Sequence, residues 1–312
     1  MKILITDNVH QLLIDNLEKS GFEITYLPEI TWDEVFDIID DYCAIVINTK
    51  TKMNKKMLDK AKNLKVIVRL GSGLDIIDLD YAHKKNIIVE RTPEGNRNAV
   101  AEHSMGLLLS LLNNIVTSNI EVRNFQWNRE KNRGLELEGK TIGLIGFGNT
   151  GTSFAKKLKC FDLNILVYDK YKQRFQEEFR YVSETGMNRL FEECDILSLH
   201  IPLTKETFHL VNEEFINKFK KNIYLINTSR GKIIDTKDLI KGLESGKIKG
   251  AALDVLENEK PWTYDEEEKM NYQKLFSMEN VIVTPHIAGW TLESKEKIAK
   301  FTFEKIMKYC KL

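Results

Sequence analysis

The chain has no surplus of charge of either sign. Its 312 residues carry 46 Lys and Arg against 46 Asp and Glu, so no net field draws it toward nucleic acid or an anionic membrane. Cysteine is scarce, with four residues at 43, 160, 194 and 310. They are widely scattered in apolar or helical surroundings, so neither a disulfide framework nor a metal-ligand spacing is read, and reduced core thiols are expected. The most apolar stretch, Met105 to Leu112, is too short to span a bilayer. Met1 to Asp7 reads as a short strand and a polar turn rather than a secretory signal. No internal repeat stands out. These absences lead us to expect a cytoplasmic protein that takes neither nucleic acid nor membrane as a partner. Its length suffices for two domains.

What is present is organised around one stretch. Thr141 to Ile145 is an apolar strand-like run, followed at once by Gly146-Phe147-Gly148-Asn149-Thr150-Gly151. Thr152 to Leu158 then carries apolar residues at helical spacing, and a second apolar run, Leu163 to Tyr168, ends in Asp169. Strand, glycines, helix, strand and acid stand in the register that a dinucleotide needs. Gly146 permits the tight turn, Gly148 lets backbone N–H groups approach a pyrophosphate, and Gly151 lets helix and strand pack closely. The helix N-terminus offers Asn149, Thr150 and their neighbours as unpaired donors. Asp169 can accept from the ribose hydroxyls and repels a 2′-phosphate, which favours NAD over NADP, with Lys170 beside it pulling slightly the other way.

Taken in order, residues 1–100 alternate strands (Ile3–Thr6, Glu23–Leu27, Ala44–Asn48, Lys65–Leu70, Ile87–Glu90) with helices (His10–Lys19, Trp32–Asp40, Asn54–Ala61, Ile76–Lys84). That alternation predicts a parallel sheet covered on both faces. Loops at Arg69-Leu70-Gly71-Ser72-Gly73 and Pro93–Asn98 follow strands, where ligands bind in such sheets. Asn98 is expected to cap a long apolar helix from Ala99 to about Ser118. A polar, aromatic-containing helix then continues through Arg123, Phe125 and Trp127 to a basic loop near Arg133, suited either to surface packing or to an arm meeting a second subunit. Later strands at Asp195–Leu199, Ile223–Ile226, Gly250–Leu253 and Val281–Val283 predict a second doubly wound domain. Glu257–Asn271 reads as a charged, solvated loop. Leu292 to Leu312 reads as a helix that returns to cover the first domain.

Three polar groups lie at strand ends of the second sheet: Arg230, Glu259 and His286. Singly, each has an ordinary explanation: a surface histidine, a salt-bridged arginine. Together at three strand ends of one nucleotide-binding sheet they compose an acid–base site.

At these residues the chain resembles the D-isomer-specific 2-hydroxy acid dehydrogenases, over nearly its whole length. The resemblance rests on Gly146–Asp169, Leu199–Thr207, Asn227–Asp235, Ala251–Glu259 and Thr284–Gly289, in the family's order and spacing. It is nearest the short-form D-3-phosphoglycerate dehydrogenase branch. The fold it implies is α/β, with two doubly wound parallel-sheet domains of Rossmann and flavodoxin-like type and the active site in the cleft between them. Residues 1–98 plus 290–312 would form the substrate domain, and 99–289 the NAD-binding domain. The resemblance makes Arg230, Glu259 and His286 the catalytic set. It adds His200, Pro202, Thr207, Thr228 and Asp254 to the glycines and Asp169 as cofactor-binding residues, with Asp254 toward the nicotinamide carboxamide. Arg69, Ser72 and Gly73 join Arg230 and His286 on the substrate side, no metal is called for, and a homodimer is implied.

The chemistry suits those residue types. Histidine can take or give the hydroxyl proton near neutral pH. Glu259 would orient its ring and favour its protonated form, and Arg230 can grip a substrate carboxylate through two N–H donors. The substrate is open. Gly71-Ser72-Gly73, Asp75, Asp78 and Gly95-Asn96 resemble the phosphoglycerate branch, and Arg69 and Arg97 could meet a phosphate. Yet Asn48 replaces a cation common there, leaving Lys50 or Lys52 as substitutes, and the serine-sensing domain of longer members is not expected after Leu312. Glyoxylate, hydroxypyruvate or another 2-oxo acid is the alternative. Trp290 either walls the substrate pocket or packs between domains. Two rivals share the scaffold: a non-catalytic NAD(H)-sensing corepressor-like protein, and a formate- or phosphite-type dehydrogenase.

Overall fold

The structure, a computed structural model, describes residues 1–310. The chain runs β1 (Lys2–Ile5), α1 (Gln11–Lys19), β2 (Glu23–Tyr26), α2 (Trp32–Ile38), β3 (Ala44–Ile47), α3 (Lys55–Lys60), β4 (Val66–Arg69), α4 (Leu79–Lys84), β5 (Ile88–Arg91) and α5 (Pro93–Leu112). It continues through α6 (Ile115–Arg123), β6 (Thr141–Ile145), α7 (Asn149–Leu158), β7 (Asn164–Tyr168), β8 (Ser183–Glu184), α8 (Met187–Glu193), β9 (Ile196–Leu199) and α9 (Glu213–Asn217). The last elements are β10 (Ile223–Asn227), α10 (Thr236–Glu244), β11 (Ile248–Leu253), α11 (Glu266–Phe276), β12 (Val281–Val283) and α12 (Leu292–Tyr309).

Two compact units result. Met1–Ala99 and the segment from Gly289 onward form the first, Val100–Ala288 the second. Sheet order is β2-β1-β3-β4-β5 in the first and β12-β11-β10-β9-β6-β7-β8 in the second, with every pairing parallel. Parallel strands need helical crossovers, so both faces are covered and the strands read as continuous apolar runs. In β1, Ile3 and Ile5 join the core beneath α1 and α12, while Leu4 points into the opposite core with Ile45, Ile47 and Ile67. Each such fully buried side chain contributes roughly 1.5–3 kcal/mol. The C-terminal helix covers the first unit as expected, through Ala299 and Ile306; the last two residues assigned to it lie outside those described.

Four expectations are corrected. Asn98 lies inside a helix rather than at its start: α5 begins at Pro93, five residues earlier, and ends at Leu112. Proline is preorganised for a first helical position and needs no N–H there. Gly95 is used for close packing, since a Cβ on it would lie 2.6–2.8 Å from Ile298 of α12. Left-handed Asn114 breaks the helix before α6; Phe125 and Trp127 follow α6 and are exposed. The charged segment 257–271 is not all loop. Asp265 and Glu268 form a capping box that starts α11, with Glu266, Glu267 and Glu268 on its positive end. Of the four free cysteines, Cys160 is exposed rather than core. Among the described residues, no single helix is long and apolar enough to cross a membrane.

Candidate active site

Within the second sheet, β6 is the switch point: the chain passes to β7 on one side and β9 on the other. Ligands of open α/β sheets bind outside the carboxyl ends of strands at such a point. The glycine turn stands there. Gly146 has φ +97°, and a Cβ on it would lie 2.4 Å from the His200 carbonyl oxygen. A Cβ on Gly151 would lie 2.2 Å from the Gly146 carbonyl oxygen. Neither position admits a side chain. Gly148 differs, because nothing stands within 4 Å of the place its Cβ would take. Gly148 is also the N-cap of α7, and no side chain caps it. The donors of Asn149, Thr150 and Gly151 therefore face an open space beside a helix N-terminus, which fits a pyrophosphate.

Asp169 follows β7, its carboxylate fixed by the N–H groups of Phe147 at 2.7 Å and of Tyr171 and Lys172 at 2.9 Å. It stays partly exposed, with lone pairs left for ribose hydroxyls. After β9, His200 is 7% exposed. Burial pushes its imidazole down to about 4, so it is neutral. Nε2 meets Ser198 Oγ at 2.9 Å and Nδ1 is buried without a partner. Pro202 and Thr207 form one turn, Thr207 Oγ1 donating to the Pro202 carbonyl at 2.7 Å.

Arg230 sits in the turn after β10. Buried Asn227 brackets that turn, donating to the Arg230 carbonyl at 2.9 Å and accepting the Ser229 N–H at 3.0 Å. The guanidinium donates to the Ser229 carbonyl at 2.7 Å. Thr228 pairs its hydroxyl with Ser104 of α5 at 3.0 Å. Beyond β11 and β12, Glu259 Oε2 lies 2.8 Å from His286 Nδ1, and both side chains are half exposed. His286 has φ +54°, a conformation that costs free energy unless its surroundings fix it.

The anchor is Asp254, 1% exposed. Its backbone carbonyl accepts the His286 N–H at 2.8 Å. One carboxylate oxygen accepts from Thr284 Oγ1 at 2.6 Å and Ile287 N at 2.9 Å, the other from Ala288 N at 2.8 Å. Asp254 thus shapes the turn that presents His286. His103 joins this cluster, its Nε2 3.0 Å from Thr284 Oγ1. Sequence reading missed His103 and Ser104, which reach the site from mid-helix and carry no motif.

Of the residues expected on the substrate side, Arg69 ends β4 and Ser72 and Gly73 follow it, all in the first unit. The Arg69 guanidinium folds over Gly71, whose Cβ would lie 2.3 Å from its Nη1. Ser72 Oγ donates to Asn96 at 3.3 Å, and its carbonyl accepts from Arg91 at 3.0 Å. Of the two lysines offered in place of a cation at Asn48, Lys50 donates to the Pro28 carbonyl.

Residues 105–288 match the family model described as D-isomer specific 2-hydroxyacid dehydrogenase, NAD binding domain. A D-3-phosphoglycerate dehydrogenase of Methanocaldococcus jannaschii is 37% identical over 309 residues, covering 99% of this chain and 57% of that protein. The chain thus spans little more than half of that relative. A hydroxypyruvate reductase of Thermotoga maritima is 38% identical over 292 residues, 94% of this chain and 92% of its own length. Among solved structures, a D-lactate dehydrogenase from Aquifex aeolicus complexed with NAD and lactic acid superposes with a TM-score of 0.84 at 30% identity, covering 98% of this chain and 94% of that one.

Proposed function

We propose that this chain, which belongs to the D-isomer-specific 2-hydroxyacid dehydrogenases, interconverts a D-2-hydroxy acid and its 2-oxo acid with NAD. One observation carries the reading: the 2.8 Å pair of His286 and Glu259 at strand ends of the sheet that carries the glycine turn.

Gly146, Gly148, Asn149, Thr150 and Gly151 would hold the pyrophosphate and Asp169 the adenosine ribose, with Thr228 toward the nicotinamide and His200, Pro202 and Thr207 shaping the wall behind. Bound there, NAD supplies the hydride acceptor for oxidation and, as NADH, the donor for reduction. With Nδ1–H donating to Glu259, His286 presents Nε2 as the base for the hydroxyl proton in oxidation and, once protonated, returns it in reduction. Arg230 binds the substrate carboxylate through paired donors. Asp254 acts through the turn it holds.

For the substrate, a small 2-oxo acid such as glyoxylate or hydroxypyruvate is favoured over phosphoglycerate, because Asn48 stands where the phosphoglycerate branch commonly has a cation and Lys50 is engaged by Pro28. The exposed apolar side chains of Ile115, Ile120, Val122, Phe125 and Trp127 support a homodimer.

The test is turnover. NADH consumption with glyoxylate, hydroxypyruvate and pyruvate should exceed NAD reduction with 3-phosphoglycerate. Phosphoglycerate as the best substrate would overturn the substrate choice, and binding of NADH without turnover of any of them would overturn the enzymatic reading.

A further inference from the structure

The loop after β11 carries two glutamates, and each meets a histidine. Glu259 meets His286; two residues earlier, Glu257 Oε2 lies 2.6 Å from Nε2 of His209. The second histidine is also left-handed, with φ +47°. It stands between β9 and α9, outside any motif assigned above.

His209 touches three segments at once. Its N–H donates to the Lys232 carbonyl at 2.9 Å, and Val211 beyond it bridges to Ile234 in a parallel pairing. Its Nδ1 lies 3.3 Å from Asp235, whose other carboxylate oxygen caps α10 through Lys237 and Asp238. Phe208 stacks on the imidazole at 4.0 Å. Glu257 uses its second oxygen to accept the Thr236 N–H at 2.7 Å. The imidazole and both carboxylates are less than a third exposed.

These segments carry the reacting residues. Arg230 immediately precedes Gly231, and a Cβ on Gly231 would lie 1.9 Å from the Leu256 carbonyl. The Arg230 turn is therefore pressed against the backbone that leads to Glu257 and Glu259. Such an approach leaves the relative placement of the two segments to whatever clamps their edges, and the clamp is the Asp235–His209–Glu257 cluster. We propose that His209 is a positioning residue that holds the turn of Arg230 and the loop of Glu259 in one frame. Its side chain meets Asp235 and Glu257, and the inference rests on the reading of Arg230 and Glu259 given above. A displacement on the order of 1 Å at remote supports can lower turnover by about 100-fold.

The experiment uses the full chain with NADH and the best 2-oxo acid, comparing His209→Ala, His209→Gln, Glu257→Ala and the double alanine variant. His209→Ala should lower kcat by roughly 10- to 100-fold and raise KM for the acid, with NADH affinity within about twofold of the parent. Glutamine, whose amide can still donate to Glu257, should restore most of kcat. The double variant should be no worse than the single ones, as expected for partners in one contact. Parent-like kcat and KM in His209→Ala, or a glutamine variant as impaired as alanine, would overturn the proposal. If the parent protein turns over no 2-oxo acid, the functional reading fails, and hydrogen exchange of residues 230–236 decides on the clamp. Faster exchange in His209→Ala sustains it; unchanged exchange sinks it.

Discussion

Glu259 holds the Nδ1 edge of His286 at 2.8 Å, so the ring meets a ligand with Nε2, which has no partner among the described residues. An imidazole held by a carboxylate in this way is locked in tautomer and direction before any substrate arrives.

Removing the ring should therefore separate chemistry from cofactor binding. His286→Ala is expected to lower kcat by roughly 10²–10⁴-fold while NADH affinity, followed by nucleotide fluorescence, stays at the parent value. Glu259→Gln should lose less, because the base survives and only its orientation and charge support change. Equal losses in both variants would argue against this division of labour.

The glycines of the turn predict opposite phenotypes. Gly148→Ala meets no neighbour within 4 Å, so melting should be unchanged while affinity for NADH falls, the methyl group standing where phosphate would lie. Gly151→Ala brings a methyl 2.2 Å from a carbonyl oxygen and should lower stability by about 1–3 kcal/mol. Melting curves and nucleotide titrations of both variants check the pair.

Asp254→Asn keeps the shape and removes one acceptor. Three donors converge on this carboxylate, so one of them would face an NH2 group instead. A loss of about 1–3 kcal/mol, together with reduced kcat from a misplaced His286, is expected. Parent-like kcat and Tm would show that the turn sets itself.

His200 gives the protein an acid-side weakness. Its folded-state value is about 4 against an ordinary 6.5, because burial disfavours the charged ring. Between those values the unfolded chain binds the proton and the folded chain does not, so stability falls as pH drops through this window. The full effect is about 3 kcal/mol, present above pH 6.5 and gone near pH 4. His200→Gln, which cannot titrate, should flatten that part of the stability profile measured by denaturant unfolding.

The local signals were the legible ones. Strand, glycine turn and terminal acid at 141–169 are fixed by near neighbours in sequence, and so are the strand ends that present Arg230, Glu259 and His286. Where a residue serves a distant contact, its type misleads. Gly95 and Asn96 look like loop formers, yet Gly95 lies inside α5 because Ile298 of α12 leaves no room for a side chain. Asp265 to Glu268 look like solvated charge, and their three-residue spacing was the unread sign of a capped helix start. The resemblance assigns Asp254 to the nicotinamide; its contacts within the chain, with the turn of His286, span more than 30 residues and have no local sign. His209 carries no motif, and its pairing with Glu257 is made across 48 residues.

The distribution of thiols has a practical side. Cys43, Cys194 and Cys310 are buried, and burial pushes Cys194 up to about 12. Cys160 alone of the four is exposed, two residues past the end of α7. A maleimide dye should accordingly attach to the folded protein at one address, just beyond the helix whose other end carries the glycine turn. The natural sequence thus offers single-site labelling with no cysteine engineered in or out, and a change in dye emission on adding NADH would tell whether α7 transmits occupancy of its far end.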